Sequence, residues 1–411
     1  MQVTSYIHPI AWNIIIGTLF ARLATGMSLP FLAIYLTMTK GLSPSITGAI
    51  ISVSMLMGVF ASFIGGSLSD TYGRKNVMIG SILVWILVFI GFAFADNVIL
   101  FFVLNACNGI CRAFFEPTSR ALLSDLTKPE NRLMVFNLRY GAINIGFAVG
   151  PILGLKLGTA SQALPFLLAA VVYTIYMISL LIQFQNHPIL EIQQEDHVTM
   201  KESLYIIGKD SVLYFTIIGL ILSNAVYSQF STNLSQYFAN SGVFKDGVRI
   251  FSYVLTINAV TVVFLQFPIT RIGKKYSALV SIMIGSLIVS IGLFCIGFAK
   301  EEWIVYTCTV LFTIGEVLMF SMTDLFIDQI SPPHAKGAYF GAMGFNGFGS
   351  VLGPWVGGIL LEHYGIEYGG IVFVMIAVFG MISFPILFFV KVLHARRKLS
   401  VSSTFNDLQL K

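Results

Sequence analysis

Charge is what this sequence has least of. Only 10% of its 411 residues are Asp, Glu, Lys or Arg, against about 25% in an ordinary soluble domain, so the chain cannot coat a surface that faces water. Cysteine is scarce as well. The four, Cys107, Cys111, Cys295 and Cys308, all lie in apolar runs with no histidine close by. That excludes a disulfide scaffold and a zinc site and leaves packing as their expected role. There is no GxxxxGKS/T phosphate loop, no cluster of metal-ligating residues and no Ser–His constellation, so no cofactor, no metal and no enzyme activity are expected. The 24 Lys and Arg residues lie mostly between apolar runs, a pattern of membrane topology that argues against nucleic acid as a partner. What the chain does have is apolar bulk: 56% hydrophobic residues, including 36 Phe, and a mean hydropathy of +0.84. The lipid bilayer is the expected solvent.

A helical crossing needs about 20 largely apolar residues. On that basis twelve spans are read, near 10–36, 45–67, 76–95, 98–123, 134–158, 163–184, 212–238, 249–270, 277–299, 303–327, 338–361 and 368–390. The first run is too long for a cleaved signal peptide and is read as the first helix. The expected organisation is a six-helix bundle over 1–184, a hydrophilic linker over 185–210, a second six-helix bundle over 211–391 and a tail over 392–411. The linker carries Glu191, Glu195, Asp196, Lys201 and Glu202. With both termini inside, the inner segments hold 14 Lys and Arg residues and the outer ones five. The positive-inside rule therefore puts both termini and the linker in the cytoplasm, in a multi-pass protein of the cell membrane.

The two halves repeat each other. At an offset of 203, Asp125, Pro129 and Gly141 match Asp328, Pro332 and Gly344, and Gly146, Gly150, Pro151 and Gly154 match Gly349, Gly353, Pro354 and Gly357. At an offset of 200, Gly73 and Lys75 match Gly273 and Lys275. A parallel repeat of six helices implies two bundles related by an axis along the membrane normal, with a central site for a small solute. The fold class is therefore an all-α membrane protein of twelve transmembrane helices in two six-helix bundles.

The loop after the second span reads Gly66-Ser67-Leu68-Ser69-Asp70-Thr71-Tyr72-Gly73-Arg74-Lys75. Its glycines permit a tight turn, its aspartate can cap a helix, and its arginine can fork onto a carboxylate. GxLxDxxGRK at this place resembles the signature loop of the major facilitator superfamily. The resemblance implies that Asp70 faces the start of span 11 and that Arg74 pairs with Asp125, as a conformational latch. The second copy, Thr270 to Lys275, lacks the aspartate. In span 5, Gly146-Phe147-Ala148-Val149-Gly150-Pro151-Ile152-Leu153-Gly154 resembles the GxxxGPxxG motif of that superfamily's twelve-helix drug–proton antiporters, and Gly349 to Gly358 carries the pattern again. Small residues four apart let helix backbones approach closely, which is the bland explanation of the same motif. Antiporters of that branch carry an arginine three residues before an Asn-Gly pair in span 4. Here Asn105 stands in that place before Asn108-Gly109, and Arg112 is the candidate replacement.

Charges at membrane depth are informative because each costs about 2.5–3.5 kcal/mol on insertion scales. They are Arg22, Arg112, Glu116 and Glu316, with Arg120, Arg139, Asp324 and Asp328 nearer the span ends. Arg112 and Glu116 are four apart, so an intrahelical ion pair is the plain expectation. Pro117 is expected to kink that helix. Glu316 has only Phe312 and Phe320 at four-residue spacing. A carboxylate that takes up and releases a proton is what coupling to a proton gradient requires, and Glu316 is the candidate. Asn224, Gln229, Asn233, Asn258 and Gln266 are candidates to line a cavity, and interhelical hydrogen bonds explain them equally. The resemblance implies a monomeric transporter exporting amphipathic or drug-like compounds in exchange for protons. A transporter of a specific metabolite, and a transport-dead receptor or membrane-embedded enzyme, are the alternatives.

Overall fold

The structure, a computed structural model, describes residues 7–158, 163–188, 200–240 and 242–409. All regular structure among them is helical. The first helices are α1 (Pro9–Ile34), α2 (Pro44–Tyr72), α3 (Arg74–Phe94), α4 (Val98–Asp125), α5 (Arg132–Gly158) and α6 (Leu164–Asn186). There follow α7 (Met200–Lys209), α8 (Ser211–Tyr227), α9 (Asn233–Asn240), α10 (Gly247–Tyr276), α11 (Ala278–Phe298) and α12 (Glu302–Ile330). The last are α13 (Lys336–Ala342), α14 (Gly347–Tyr364), α15 (Gly369–Met381) and α16 (Ser383–Gln409).

Local chemistry sets several of these starts. Proline opens α1 and α2, where its missing N–H is no loss. The Ser43, Asn97, Asp210 and Asp246 side chains accept from backbone N–H groups at the starts of α2, α4, α8 and α10. Pro117 does not end α4, which continues to Asp125. The hydroxyls of Thr118 and Ser119 turn back onto the carbonyls of Phe114 and Glu116 beside it.

Eleven stretches among the described residues are long and apolar enough to cross a membrane. The remaining span expected from the sequence, 338–361, is the broken pair α13 and α14, separated by a 3-10 turn at Met343–Asn346. Glycine at 341, 344, 347 and 349 both dilutes its hydropathy and loosens its helix. The twelve-span, all-α architecture is thus present. Side chains such as Phe94, Ile99 and Phe264 are more than 70% exposed, which suits hydrocarbon and not water. The expected linker contains the helix α7, and its Glu191, Glu195 and Asp196 lie outside the described residues. In the expected tail, α16 continues to Gln409.

The chain divides into two compact units, Met1–Leu204 with Ile327–Phe345, and Tyr205–Phe326 with Asn346–Lys411. In the first, α1 packs on α5 and α6, α2 on α4, and α3 on α4 and α6, with α13 lying against α2 and α4. In the second, α8 packs on α14, α16 and α11, and α11 on α15. Its core is built on Val226, Phe230, Leu234, Phe312 and Phe373.

The two glycine motifs do the same work in the two units. In α5, a Cβ on Gly150 would stand 2.7 Å from the Leu23 carbonyl oxygen of α1, and Gly146 and Gly154 meet α1 backbone likewise. In α14, a Cβ on Gly353 would stand 2.5 Å from the Ala225 carbonyl oxygen of α8. Gly349 and Gly357 lie against Ile221 and against Gln229 and Asn233. Pro151 and Pro354 sit inside these helices without ending them. Backbone-to-backbone approach is therefore how each unit closes its first helix against its fifth.

Candidate functional site

The signature loop turns at Gly73, whose φ of +86° and ψ of +146° favour glycine. Gly66 packs on the backbone of Gly337, with no room for a side chain. Together they bring Asp70 under the first turn of α13, where it accepts from the N–H groups of Gly337 (3.0 Å) and Ala338 (2.7 Å). The Asp70 side chain is wholly enclosed and ion-paired with Arg74. Arg74 also donates to the Ser69 hydroxyl at 2.6 Å and reaches the Asp125 carboxylate at 3.3 Å.

Two further bases complete this network, and neither stood out in the sequence. Arg132 opens α5 and pairs with Asp328 at 2.6 Å. Lys336 opens α13 and lies 3.3 Å from Asp328, 3.4 Å from Asp125 and 2.5 Å from the Ser124 hydroxyl. Three acids, three bases and two serines are thus interlocked within the first unit. The signal was there in outline: each base directly follows a proline-led 3-10 turn, Pro129–Asn131 and Pro333–Ala335.

The offset of 200 does not describe the fold. Gly273 lies inside α10, close to Leu318, Met322 and Ser281. The residue that occupies the turn before α11, as Gly73 does before α3, is Ser277, with φ +121° and ψ +153°. Matching by residue identity chose the wrong partner, because the second turn uses serine where the first uses glycine.

Deeper in the first unit, Glu116 of α4 is ion-paired with Arg22 of α1 and with Arg139 of α5. The intrahelical Arg112–Glu116 pair expected from spacing is not formed. Two longer-range guanidinium groups take both carboxylate oxygens, and a bidentate, two-sided clamp outcompetes a single i,i+4 contact. The Arg22 guanidinium also lies over the Phe147 ring at 5.4 Å. Arg112 is half-buried and extends across Gly58 of α2. Asn105 donates to the Ile50 carbonyl at 2.6 Å and joins a chain with Asn108 and Trp85. It ties α4 to α2.

In the second unit, Glu316 of α12 is 1% exposed. Tyr227 of α8 donates its hydroxyl to one carboxylate oxygen at 3.2 Å, and the Asn258 amide of α10 donates to the other at 2.7 Å. Asn258 also bonds Thr313, so this cavity candidate belongs with the carboxylate. Asn224 donates to the Asn346 carbonyl, and Asn233 donates to the Pro354 carbonyl and to Gln229. Gln266 is buried in α10. Asn224, Gln229 and Asn233 hold α14 onto the broken α8–α9 segment.

A polytopic helical protein with buried ionisable groups on crossing helices and a charged network at their ends is a membrane transporter by architecture. The description Major Facilitator Superfamily matches residues 14–347 and 251–407, and the chain belongs to that superfamily. It is 46% identical over 384 residues to the uncharacterized MFS-type transporter YqjV of Bacillus subtilis, covering 93% of this chain and 94% of that one. It is 24% identical to a Na(+), Li(+), K(+)/H(+) antiporter of Planococcus maritimus, over 80% of this chain and 84% of the other. The solved structure of the human organic anion transporter MFSD10 (TETRAN) shares the fold, with a TM-score of 0.73 and 16% identity over 92% of this chain and 98% of that one.

Proposed function

We propose that the protein is a secondary active transporter that exports amphipathic, drug-like compounds in exchange for protons, by alternating access of two six-helix bundles, 1–184 and 211–391. The observation that carries the coupling is the Glu316 carboxylate, buried at membrane depth and held by the neutral donors Tyr227 and Asn258. Such a cage suits either protonation state. The Tyr227 hydroxyl donates to a carboxylate and can rotate to accept from a carboxylic acid. A site that tolerates both states lets a proton gradient bias one conformation over the other, since only differential affinity shifts an equilibrium. The GxxxGPxxG motifs, and a relative named as a proton antiporter, support the same reading.

The Asp70, Arg74 and Asp125 network is read as the latch of that cycle. It fastens residues 327–345 to α2 and α4, and it must open for that segment to move. The protein is read as a monomer of the cell membrane with both termini cytoplasmic, and not as an enzyme. Cysteines placed at Glu195 and Lys245 should label from inside and outside respectively, and the reverse pattern overturns the orientation.

The decisive experiment uses inverted vesicles and a panel of dyes and drugs, with and without an imposed pH gradient. Accumulation that collapses when the gradient is dissipated is the expected result. Accumulation indifferent to the gradient removes proton coupling. Absence of movement for any panel member favours the metabolite alternative.

A further inference from the structure

The geometry points to an anion site at Arg112, so that the class of compound this transporter handles carries a carboxylate or sulfonate on an apolar body. The assignment deepens the transporter reading above and rests on it. Among the described residues Arg112 makes no ion pair and no hydrogen bond. Its nitrogens are also missing from the polar atoms that are sealed and unpartnered. A half-buried guanidinium with neither a partner nor a seal is therefore accessible from outside the packed side chains. A cation kept at membrane depth in that condition marks a place where its partner comes from outside the chain.

The acid nearest along the helix does not supply that partner. Glu116 lies one turn away, but Arg22 and Arg139 already hold both of its oxygens. It neither neutralises Arg112 nor leaves a free negative charge to repel an anion. Gly58 lies beneath the guanidinium, and Tyr173 and Arg22 are within electrostatic reach of it, so no acid among the described residues competes there for an incoming anion. A planar fork of donors fits a carboxylate or sulfonate edge, which Lys would not match. An amphipathic cation would instead meet like charge.

The test uses the full-length purified protein in nanodiscs and three isosteric probes: naphthoate, naphthamide and naphthylmethylammonium. Binding is read by titration calorimetry and needs no transport. Wild type should bind naphthoate at least about tenfold more tightly than naphthamide, and the ammonium weakest. Arg112→Gln should erase the preference for naphthoate while leaving naphthamide binding and the unliganded melting temperature unchanged. Arg112→Lys should keep a reduced preference, and it covers the case in which the Gln variant fails to fold. Equal affinities, no naphthoate binding, or an unchanged preference in Arg112→Gln overturn the assignment. A melting shift with sodium chloride but none with naphthoate also overturns it, because the site then serves a small inorganic anion. Gradient-driven transport measured on the same preparation keeps the two readings apart. Binding without transport sinks the transporter cycle and spares the site, whereas transport without the preference does the reverse.

Discussion

The two units solve the same packing problem and then diverge in chemistry. Each closes a glycine-lined helix onto its first helix, α5 on α1 and α14 on α8, at backbone contact. Inside the first unit the membrane-depth groups are arginines: Arg22 and Arg139 around one carboxylate, with Arg112 beside them. Inside the second the buried membrane-depth charge among the described residues is an acid, Glu316, which accepts from a phenol and an amide. A duplicated scaffold has kept its helix contacts and separated its charges. Ion-paired arginines are locked by their carboxylate, whereas the proposed coupling role asks the Glu316 carboxylate to change its protonation state.

The sharpest way to break that comparison is to make one substitution in both units. Glu116→Gln leaves Arg22 and Arg139 facing each other with no counter-charge. It should destabilise the protein by about 3–5 kcal/mol, as uncompensated buried charge does. Folding yield, exchange and gradient-driven transport should fall together. Adding Arg112→Met should not rescue it, because Arg112 is not its partner, whereas Arg22→Met should recover part of the loss. Glu316→Gln keeps the shape, with its oxygen accepting from Asn258 and its NH2 donating to a rotated Tyr227 hydroxyl, so stability should change by less than about 1 kcal/mol. Gradient-driven transport should vanish while downhill exchange persists. Thermal unfolding in detergent and both transport modes in one reconstituted preparation check the pair. Equal phenotypes for the two variants would erase the distinction between locked and titrating acids.

The next largest effect concerns the charged network at the ends of α2, α4 and α13. Asp70→Asn keeps size and one acceptor but removes the charge that Arg74 and two backbone N–H groups share. Removal of a charge-assisted contact of this kind is worth about 1.5–3 kcal/mol, so turnover should slow by roughly tenfold or more in a protein that still folds and inserts. Wild-type turnover in a well-expressed variant would show that the network only shapes the turn. The glycine motifs offer the matching control. Gly150→Ala and Gly353→Ala should each cost about 1–3 kcal/mol by overpacking, with equal losses because both meet backbone, while Gly48→Ala meets open space and should cost nothing of that size.

Legibility in the sequence followed the range of the interaction. The spans, the repeat and the loop around Asp70 could be read because hydropathy and glycine spacing are local properties. Asp328 came from the repeat as the counterpart of Asp125. Its partners Arg132 and Lys336 did not, since Arg132 pairs with it, and Lys336 with Asp125, across about two hundred residues. The Glu116 clamp failed for the same reason: spacing offers Arg112, and only the packing of α1 and α5 on α4 supplies Arg22 and Arg139. The breaks in α8–α9 and α13–α14 lie where Asn, Gln, Ser and Gly replace helix-forming apolar residues. Composition hints at them, but which carbonyls the side chains of Asn224 and Asn233 take is decided in three dimensions.

The smallest effect tests the repeat at its point of mismatch. Gly73 and Ser277 occupy equivalent turns in nearly the same backbone region, φ +86°, ψ +146° and φ +121°, ψ +153°. That region is essentially reserved for glycine, and another residue held there costs about 1–3 kcal/mol. Ser277 recovers part of this by capping α11, its hydroxyl accepting from the Val280 N–H at 3.3 Å. Such a cap loses only a few tenths of a kcal/mol when serine becomes glycine. Ser277→Gly should therefore stabilise the protein by about 1 kcal/mol, while Gly73→Ser should destabilise it by a similar amount. The two changes act on the same turn from opposite sides, so their melting temperatures in detergent should move in opposite directions, with transport retained in Ser277→Gly. A lower melting temperature for Ser277→Gly would mean that the cap outweighs the strain, and that the second turn has been rebuilt around serine.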